Sequence, residues 1–416
     1  MKILSVYYHG NIKLGPVLVG RLAYDQGLSK FEYDPIFLKS GLNLSPFSLE
    51  PHALLQSPTP QPFQGLHGLF NDSLPDGWGL YLMDKIFKKN GFPIEEVTPL
   101  DRLAYMGDRA LGALSYQPDE GVQFQLKADA QLELNRLAEE SIKLYTGELE
   151  QVLNELAVNG TPSGGARPKV LIGMDGSHTI SGAYDLPDGY THWLAKFPMG
   201  TKAEDKSEGA IEFIYSNMAR TAGIDFPDTK LTPGEDNNAY FLTKRFDRGD
   251  KNRRIHMHTL AGLVNADFRV ADFSYEKLIK VCMTLTRSHQ ETTQLFRRML
   301  FNILCGNRDD HTKNFSFLMD ENGIWKNSPA YDVVFNRGIA GEHTMDIMGK
   351  GKQITLQDIE PLAKVASLKM IDVKRMISEI SESLSTWEKA ASHLNIPNSQ
   401  ISEISKHIIL QRKLLT

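Results

Sequence analysis

The sequence predicts an α+β chain in two parts. Residues 1–157 form a mixed α/β region, and residues 158–416 form a two-lobed domain whose second lobe is mostly helical. Three observations carry this. Strand-like alternation fills residues 1 to about 40. A small-residue loop over 161–169 opens a strand, a helix and a further strand. From about residue 255 to the end, apolar residues recur at helical spacing with one interruption.

Composition narrows the classes. A chain of 416 residues has room for on the order of two or three domains. Hydrophobic content of 41% and charged content of 23% are ordinary for a globular protein. The net charge is -5 and the pI about 6.2, so overall charge does not favour nucleic acid. The two cysteines, Cys282 and Cys305, supply neither a disulfide framework nor a metal cluster. The first residues lack the apolar core of a leader, and no apolar run reaches the length of a membrane span. A cytoplasmic protein without a membrane partner is expected.

Taken in order, Ile3, Val6 and Tyr8, then Val17, Val19, Leu22 and Tyr24, suggest strands around Gly10-Asn11 and Gly15-Pro16 turns. Phe31 to Asp34 begins another. After loops over 45–63, Leu69 to Gly79 leads into a helix over Tyr81 to Asn90. Phe70, Leu74 and Trp78 suit either a partner surface or the core. Asp101 to Met106 is a short helix, 111–124 is strand-like, and Ala128 to Ala157 reads as helical. The boundary falls near Asn159-Gly160.

The second part opens on Thr161-Pro162-Ser163-Gly164-Gly165-Ala166-Arg167-Pro168-Lys169. Glycines here let backbone N–H groups approach phosphates. The string is neither a Walker A motif nor a G-x-G-x-x-G loop. Lys196 lies within the strand His192 to Phe197. The helix Lys206 to Ala222 offers Glu208 and Glu212, and the stripe Ile211, Ile214, Tyr215, Met218 selects Glu212 as the partner of Lys196. Tyr240 to Arg248 is a strand running into a charged turn. Later helices are expected over Asp272–Thr284, Ser288–Leu304, Thr355–Val365, Asp372–Leu394 and Ser399–Leu410.

The interruption is Cys305 to Asp332. Leu295, Phe296, Met299, Leu300 and Ile303 mark a buried helix, with Ser288 and Glu291 as a capping box and Gly306 as its stop. A polar loop follows with Asn307, Asp309, Asp310, His311, Lys313 and Asn314. A hairpin turning at Glu321-Asn322-Gly323 then leads to Tyr331-Asp332. Asp309 and Asn314 stand as D-x-x-x-x-N, the spacing at which a kinase catalytic loop places its hydroxyl-orienting aspartate and its magnesium-binding asparagine. Asp309, Asn314 and Asp332 supply the oxygens that a hard cation requires. Asp309, Asp310 and Asp332 also suit a metal-dependent nuclease.

Together PSGGARPK, HWLAKFP, KRFDR, GNRDDHTKNFSF and SPAYDV, with FNDSLPDGWG and MGDRALGAL before them, resemble the HipA family. These are the serine/threonine kinase toxins of HipA–HipB toxin–antitoxin modules. The resemblance spans about residues 1–400 and implies a protein-kinase-like two-lobed domain behind a HipA N-terminal domain. It implies that Asp309 is catalytic, that Asn314 and Asp332 hold Mg2+, and that Lys196, positioned by Glu212, contacts ATP. Ser163, Gly164, Gly165, Ala166, Arg167 and Lys169 would cover the phosphates. Lys244, Arg245 and Phe246 would border the adenine, and His311 would brace the loop. Ser163 is the candidate for autophosphorylation, with Thr161 the other hydroxyl, because Pro162 occupies the position where a serine is expected. The implied partners are a HipB-like helix-turn-helix antitoxin, which carries any contact with DNA, and a protein substrate such as an aminoacyl-tRNA synthetase. A catalytically silent corepressor that only binds the antitoxin is the alternative from another class.

Overall fold

The computed structural model describes residues 2–11, 15–121, 131–149, 151–162, 164–176, 178–236 and 238–416. The N-terminal half is built on an antiparallel sheet of β1 (Ile3–Tyr8), β2 (Val17–Asp25), β3 (Leu28–Tyr33) and β4 (Leu114–Gln117), in the order β3-β2-β1-β4. Side chains in a strand alternate faces, so β1 buries Leu4, Val6 and Tyr8 and leaves Ile3 exposed. The helix Gly77–Lys89 begins earlier than its apolar pattern suggests, and buries Trp78, Leu82, Met83, Ile86 and Phe87. Phe70 and Trp78 are core residues, which removes them as a partner surface. The helix Pro99–Met106 starts at a capping box between Thr98 and Asp101. The helical stretch expected up to Ala157 divides into Leu134–Tyr145 and Asn154–Asn159, separated by a left-handed turn at Gly147; residues 128–130 lie outside the described residues.

No exposed linker joins the halves here. The residues around the expected boundary, Leu156 to Thr161, are buried, and the Asn159 amide oxygen accepts the Ser181 hydroxyl at 2.5 Å.

The small lobe is a five-stranded antiparallel sheet. Its strands are β5 (Lys169–Met174), β6 (Thr179–Ser181), β7 (Thr191–Lys196), β8 (Thr229–Pro233) and β9 (Ala239–Lys244), in the order β6-β5-β7-β9-β8. The helix Ala203–Thr221 packs on β8 and β9, with Gly209 against the backbone of Ala239 and Phe241 and Ser216 bonded to Thr229, while Tyr215, on the stripe with Ile211, Ile214 and Met218, meets Cys305 and Trp387 of the large lobe.

In the large lobe the helix His289–Cys305 packs against Tyr275–Thr286, Met370–Leu384 and Asn398–Leu415. Ser288 caps it by accepting the Glu291 N–H at 3.3 Å, but the reciprocal half of the box is replaced. The Glu291 carboxylate instead takes the Asn327 N–H at 2.8 Å. The run over Asp372–Leu394 separates into Met370–Leu384 and Trp387–His393 at Ser385-Thr386. The expected hairpin is present as β11 (Ser316–Met319) and β12 (Trp325–Asn327), with a further strand, β10 (His256–Thr259), along its other edge.

Strand β10 has no apolar alternation of its own; His256 and His258 are its inward residues. Both bond to the N-terminal half. His256 meets the Leu44 carbonyl at 2.9 Å, and His258 lies between Ser45 at 2.9 Å and the Asp72 carboxylate at 2.5 Å. Asp72 also accepts the Thr259 N–H and hydroxyl. A second seam joins Asp247 and Arg248 to the backbone of Gly112. The two halves therefore share one continuous core, stitched by buried polar groups that bond across it.

Candidate active site

Lys196 ends β7, between β5 and β9, so its side chain emerges from the middle of the small-lobe sheet. Its Nζ lies 2.5 Å from Glu212 Oε1 and also contacts the Asp332 carboxylate from the large lobe. Glu212 is 2% exposed, and a buried carboxylate is costly unless it is paired. Arg167 supplies the second cation, with Nη1 3.0 Å from Glu212 Oε2 while Nε donates to the Phe197 carbonyl at 2.7 Å. Burial alone would lower the Lys196 pKa; Asp332 and Glu212 outweigh it and hold the ammonium above the ordinary value. Burial alone would raise Asp332, yet Lys196 and Lys169 hold it well below the carboxylate range. Asp332 also adopts φ 50°, a left-handed conformation that is unusual outside glycine and common where function fixes a side chain.

The large-lobe loop begins where Gly306, at φ 76°, ends the helix His289–Cys305. Asp309 is the exposed carboxylate of the loop, and Asp310 is turned inward. The Asn314 side-chain amide donates to the Asp309 carbonyl at 2.7 Å, which leaves its oxygen as the group it can offer a cation. His311 Nε2 lies 3.8 Å from Asp309 Oδ1, and its Nδ1 accepts the Lys313 N–H at 3.2 Å. Loss of water around Asp309 raises its pKa; His311 opposes this, while Asp332 and Asp310 add to it.

Asp310 accepts the Tyr275 hydroxyl at 2.7 Å, the His343 Nδ1–H at 2.8 Å and the Thr344 N–H at 2.8 Å. Its oxygens face the large-lobe core, so it does not join Asp309 and Asp332. Among the described residues no group of three His, Cys, Asp or Glu side chains could hold a metal. Replacing Asp310 by Ala strands a buried tyrosine, a histidine and a backbone N–H. We expect a loss of about 2–3 kcal/mol in denaturant unfolding.

Other residues singled out from sequence are distributed as follows. Lys169 faces Lys196 across β5 and β7, and donates to the Gly164 carbonyl at 2.5 Å. Burial pushes its pKa down to about 8; Lys196 adds to this, while Asp332, Asp76 and Glu212 oppose it. Ala166 is exposed, and Ser163 lies outside the described residues. Thr161 is buried and its hydroxyl donates to the Ala157 carbonyl at 2.6 Å. The Phe246 ring lies 5.5 Å from that of Tyr331, next to Asp332. The two residues before it leave this group. The Lys244 ammonium lies 3.9 Å from Asp228, and Arg245 forks onto Asp247 at the seam with the N-terminal half.

Two supports were not assigned from sequence. Tyr331 donates to the Lys313 carbonyl at 2.7 Å and ties the Asp309–Asn314 loop to the Asp332 turn. Asp76, in the N-terminal half, accepts the Gly165 N–H and pairs with Lys313 at 2.7 Å. The string LPDGWG drew attention to that stretch, but no local pattern indicates where its carboxylate goes.

Comparison with known proteins agrees with this layout. Residues 161–403 match the HipA-like C-terminal domain, and residues 10–117 match the HipA N-terminal domain. A provisionally named kinase of Haemophilus influenzae is 32% identical over 136 residues, covering 30% of this chain and 40% of the relative. Another from Sinorhizobium fredii is 24% identical over 236 residues, covering 52% and 56%. The chain thus spans about half the length of the curated relatives it matches. A chain from the structure of the Shewanella oneidensis HipA, HipB and operator DNA complex superposes with a TM-score of 0.66 at 17% identity. That superposition covers 99% of this chain and 96% of the other, a likeness of fold.

Proposed function

The chain belongs to the HipA family, and from that premise we propose that it is an ATP- and magnesium-dependent serine/threonine kinase acting as the toxin of a toxin–antitoxin module. The observation that carries this is Lys196, which links Glu212 of the small lobe to Asp332 of the large lobe beside Asp309 and Asn314. Phosphoryl transfer asks a protein for position and charge rather than covalent chemistry. A lysine held by a buried glutamate is fixed in place to meet phosphate oxygens. Asp309, exposed and with a raised pKa, suits orienting a substrate hydroxyl and accepting its proton. The Asn314 oxygen and the Asp332 carboxylate form a hard-oxygen donor set that fits magnesium. The metal there would offset charge on the triphosphate. The inward turn of Asp310 weighs against a nuclease built on three carboxylates.

The proposed partner is a HipB-like helix-turn-helix antitoxin, with DNA reached only through it. The related solved complex contains HipA, HipB and operator DNA. The proposed substrate is a serine of a translation protein, such as an aminoacyl-tRNA synthetase, whose modification would stop growth. Autophosphorylation would fall on Ser163 in preference to Thr161, because the Thr161 hydroxyl is buried and engaged. The test is transfer from labelled ATP with magnesium, to the protein itself and to a lysate. A labelled serine or threonine supports the reading, and a protein that shows no label and binds no ATP sinks it.

Lys169 gives this reading a pH signature. Its native pKa of about 8 lies below that of the free side chain, so between pH 8 and the ordinary lysine value the native apo protein binds fewer protons than the unfolded chain. Stability contributed by this group therefore rises with pH across that window. Phosphates placed beside Lys169 restore its proton. Calorimetry at pH 8.5 in buffers of different ionisation enthalpy should show net proton uptake on ATP binding, and Lys169→Met should remove it.

A further inference from the structure

The N-terminal half reaches the proposed ATP site through three consecutive residues, Asp76-Gly77-Trp78, at the start of the helix Gly77–Lys89. One Asp76 oxygen accepts the Gly165 N–H and the other pairs with Lys313 at 2.7 Å. The Trp78 N–H donates to the Gly165 carbonyl at 2.8 Å, and the Trp78 indole N–H donates to the Lys169 carbonyl at 3.1 Å. Gly77 sits at φ 46°, and a Cβ there would overlap the Gly165 carbonyl, so the two backbones touch. Both polar groups of the Gly165 backbone are thus occupied by the N-terminal half.

Lys313 extends the connection. Its ammonium lies 4.7 Å from the Phe268 ring centre, its carbonyl takes the Tyr331 hydroxyl, and it precedes Asn314. The Asp76 and Lys313 side chains are only 16% and 14% exposed. Burial alone would raise the Asp76 pKa; Lys313, the Gly165 N–H and Lys169 outweigh it and keep the carboxylate ionised. One charged group therefore binds the glycine-rich loop from one side and the catalytic loop from the other.

We propose that Asp76 is a positioning residue, a latch by which the N-terminal half holds the glycine-rich loop in register over the catalytic loop. The latch deepens the kinase reading and rests on it for its purpose, since a loop held in register presents its N–H groups to phosphates without first having to be ordered. It also makes the N-terminal half part of the nucleotide site. Whatever displaces the start of the helix Gly77–Lys89 loosens ATP.

The test is hydrogen–deuterium exchange of the full chain without nucleotide, comparing the natural protein with Asp76→Asn, followed by steady-state kinetics in ATP. A charge-assisted bond of this kind corresponds to about ten- to a hundredfold in an equilibrium. Exchange in a peptide covering Gly164 to Lys169 should accelerate about tenfold or more, with the helix His289–Cys305 unchanged. The KM for ATP should rise by a similar factor while kcat changes less. A folded Asp76→Asn protein with natural loop exchange and natural KM overturns the latch. If that variant does not fold, Lys313→Met breaks the same pair from the other side. It must then accelerate the loop, and unaltered exchange overturns the proposal. Accelerated exchange in a protein that binds no ATP would keep the latch and remove the kinase reading, whereas ATP binding with unaltered exchange does the reverse.

Discussion

Asp309→Asn should bind ATP about as well as the natural protein and transfer phosphate about a hundred- to ten-thousandfold more slowly. Asparagine keeps the shape of the side chain and the Asp309 carbonyl that Asn314 bonds, so the loop should hold its form. What disappears is the acceptor for the hydroxyl proton. Single-turnover transfer from labelled ATP, set beside nucleotide affinity from calorimetry, separates the two effects. A variant that transfers phosphate at the natural rate would remove Asp309 from the chemistry. The raised pKa of Asp309 gives an accompanying sign. Below that pKa the base is protonated, so activity should fall with acid at a higher pH than an unperturbed aspartate would produce.

Lys196→Met should affect binding and stability together. The substitution removes the cation between Glu212 and Asp332 and leaves Glu212 buried with Arg167 as its remaining partner. Breaking one side of a buried ion pair costs about 3–5 kcal/mol, and Arg167 should keep the loss near the lower end. Denaturant unfolding should therefore shift to lower concentration, and labelled ATP binding should fall below detection at concentrations that saturate the natural protein. Glu212→Gln is the informative companion. It should lose less stability, because the glutamine oxygen still accepts from one of the two cations and Lys196 keeps its contact with Asp332. A Lys196→Met protein that is as stable as the natural chain and binds ATP normally would contradict the geometry of this site.

The misread elements share a cause. The single helix expected over Asp372–Leu394 has apolar residues throughout, and periodicity does not register the turn at Ser385-Thr386. Strand β10 escaped notice because its inward residues are histidines, whose burial depends on Asp72, Ser45 and Leu44 from the other half. Arg245 stood beside Phe246 in a string associated with nucleotide binding, yet both lie past the end of β9, where the chain turns and the two side chains part. One neighbour reaches Tyr331 and the other the Asp247 seam.

By itself the sequence determined what short-range physics controls. The Gly306 stop, the Asp309–Asn314 spacing, the hairpin before Asp332 and the apolar stripe that selects Glu212 each depend on residues within a few turns of one another. Spacing of that kind fixes which side chains share a face. Only the tertiary structure decided what those groups meet. Lys196 joins Asp332 across 136 residues, and Asp76 joins Gly165 across 89 and Lys313 across 237. Those distances are set by how the sheets and helices bury their apolar faces. The charged side chains follow, each paired because an unpaired charge at that depth would be expelled or neutralised.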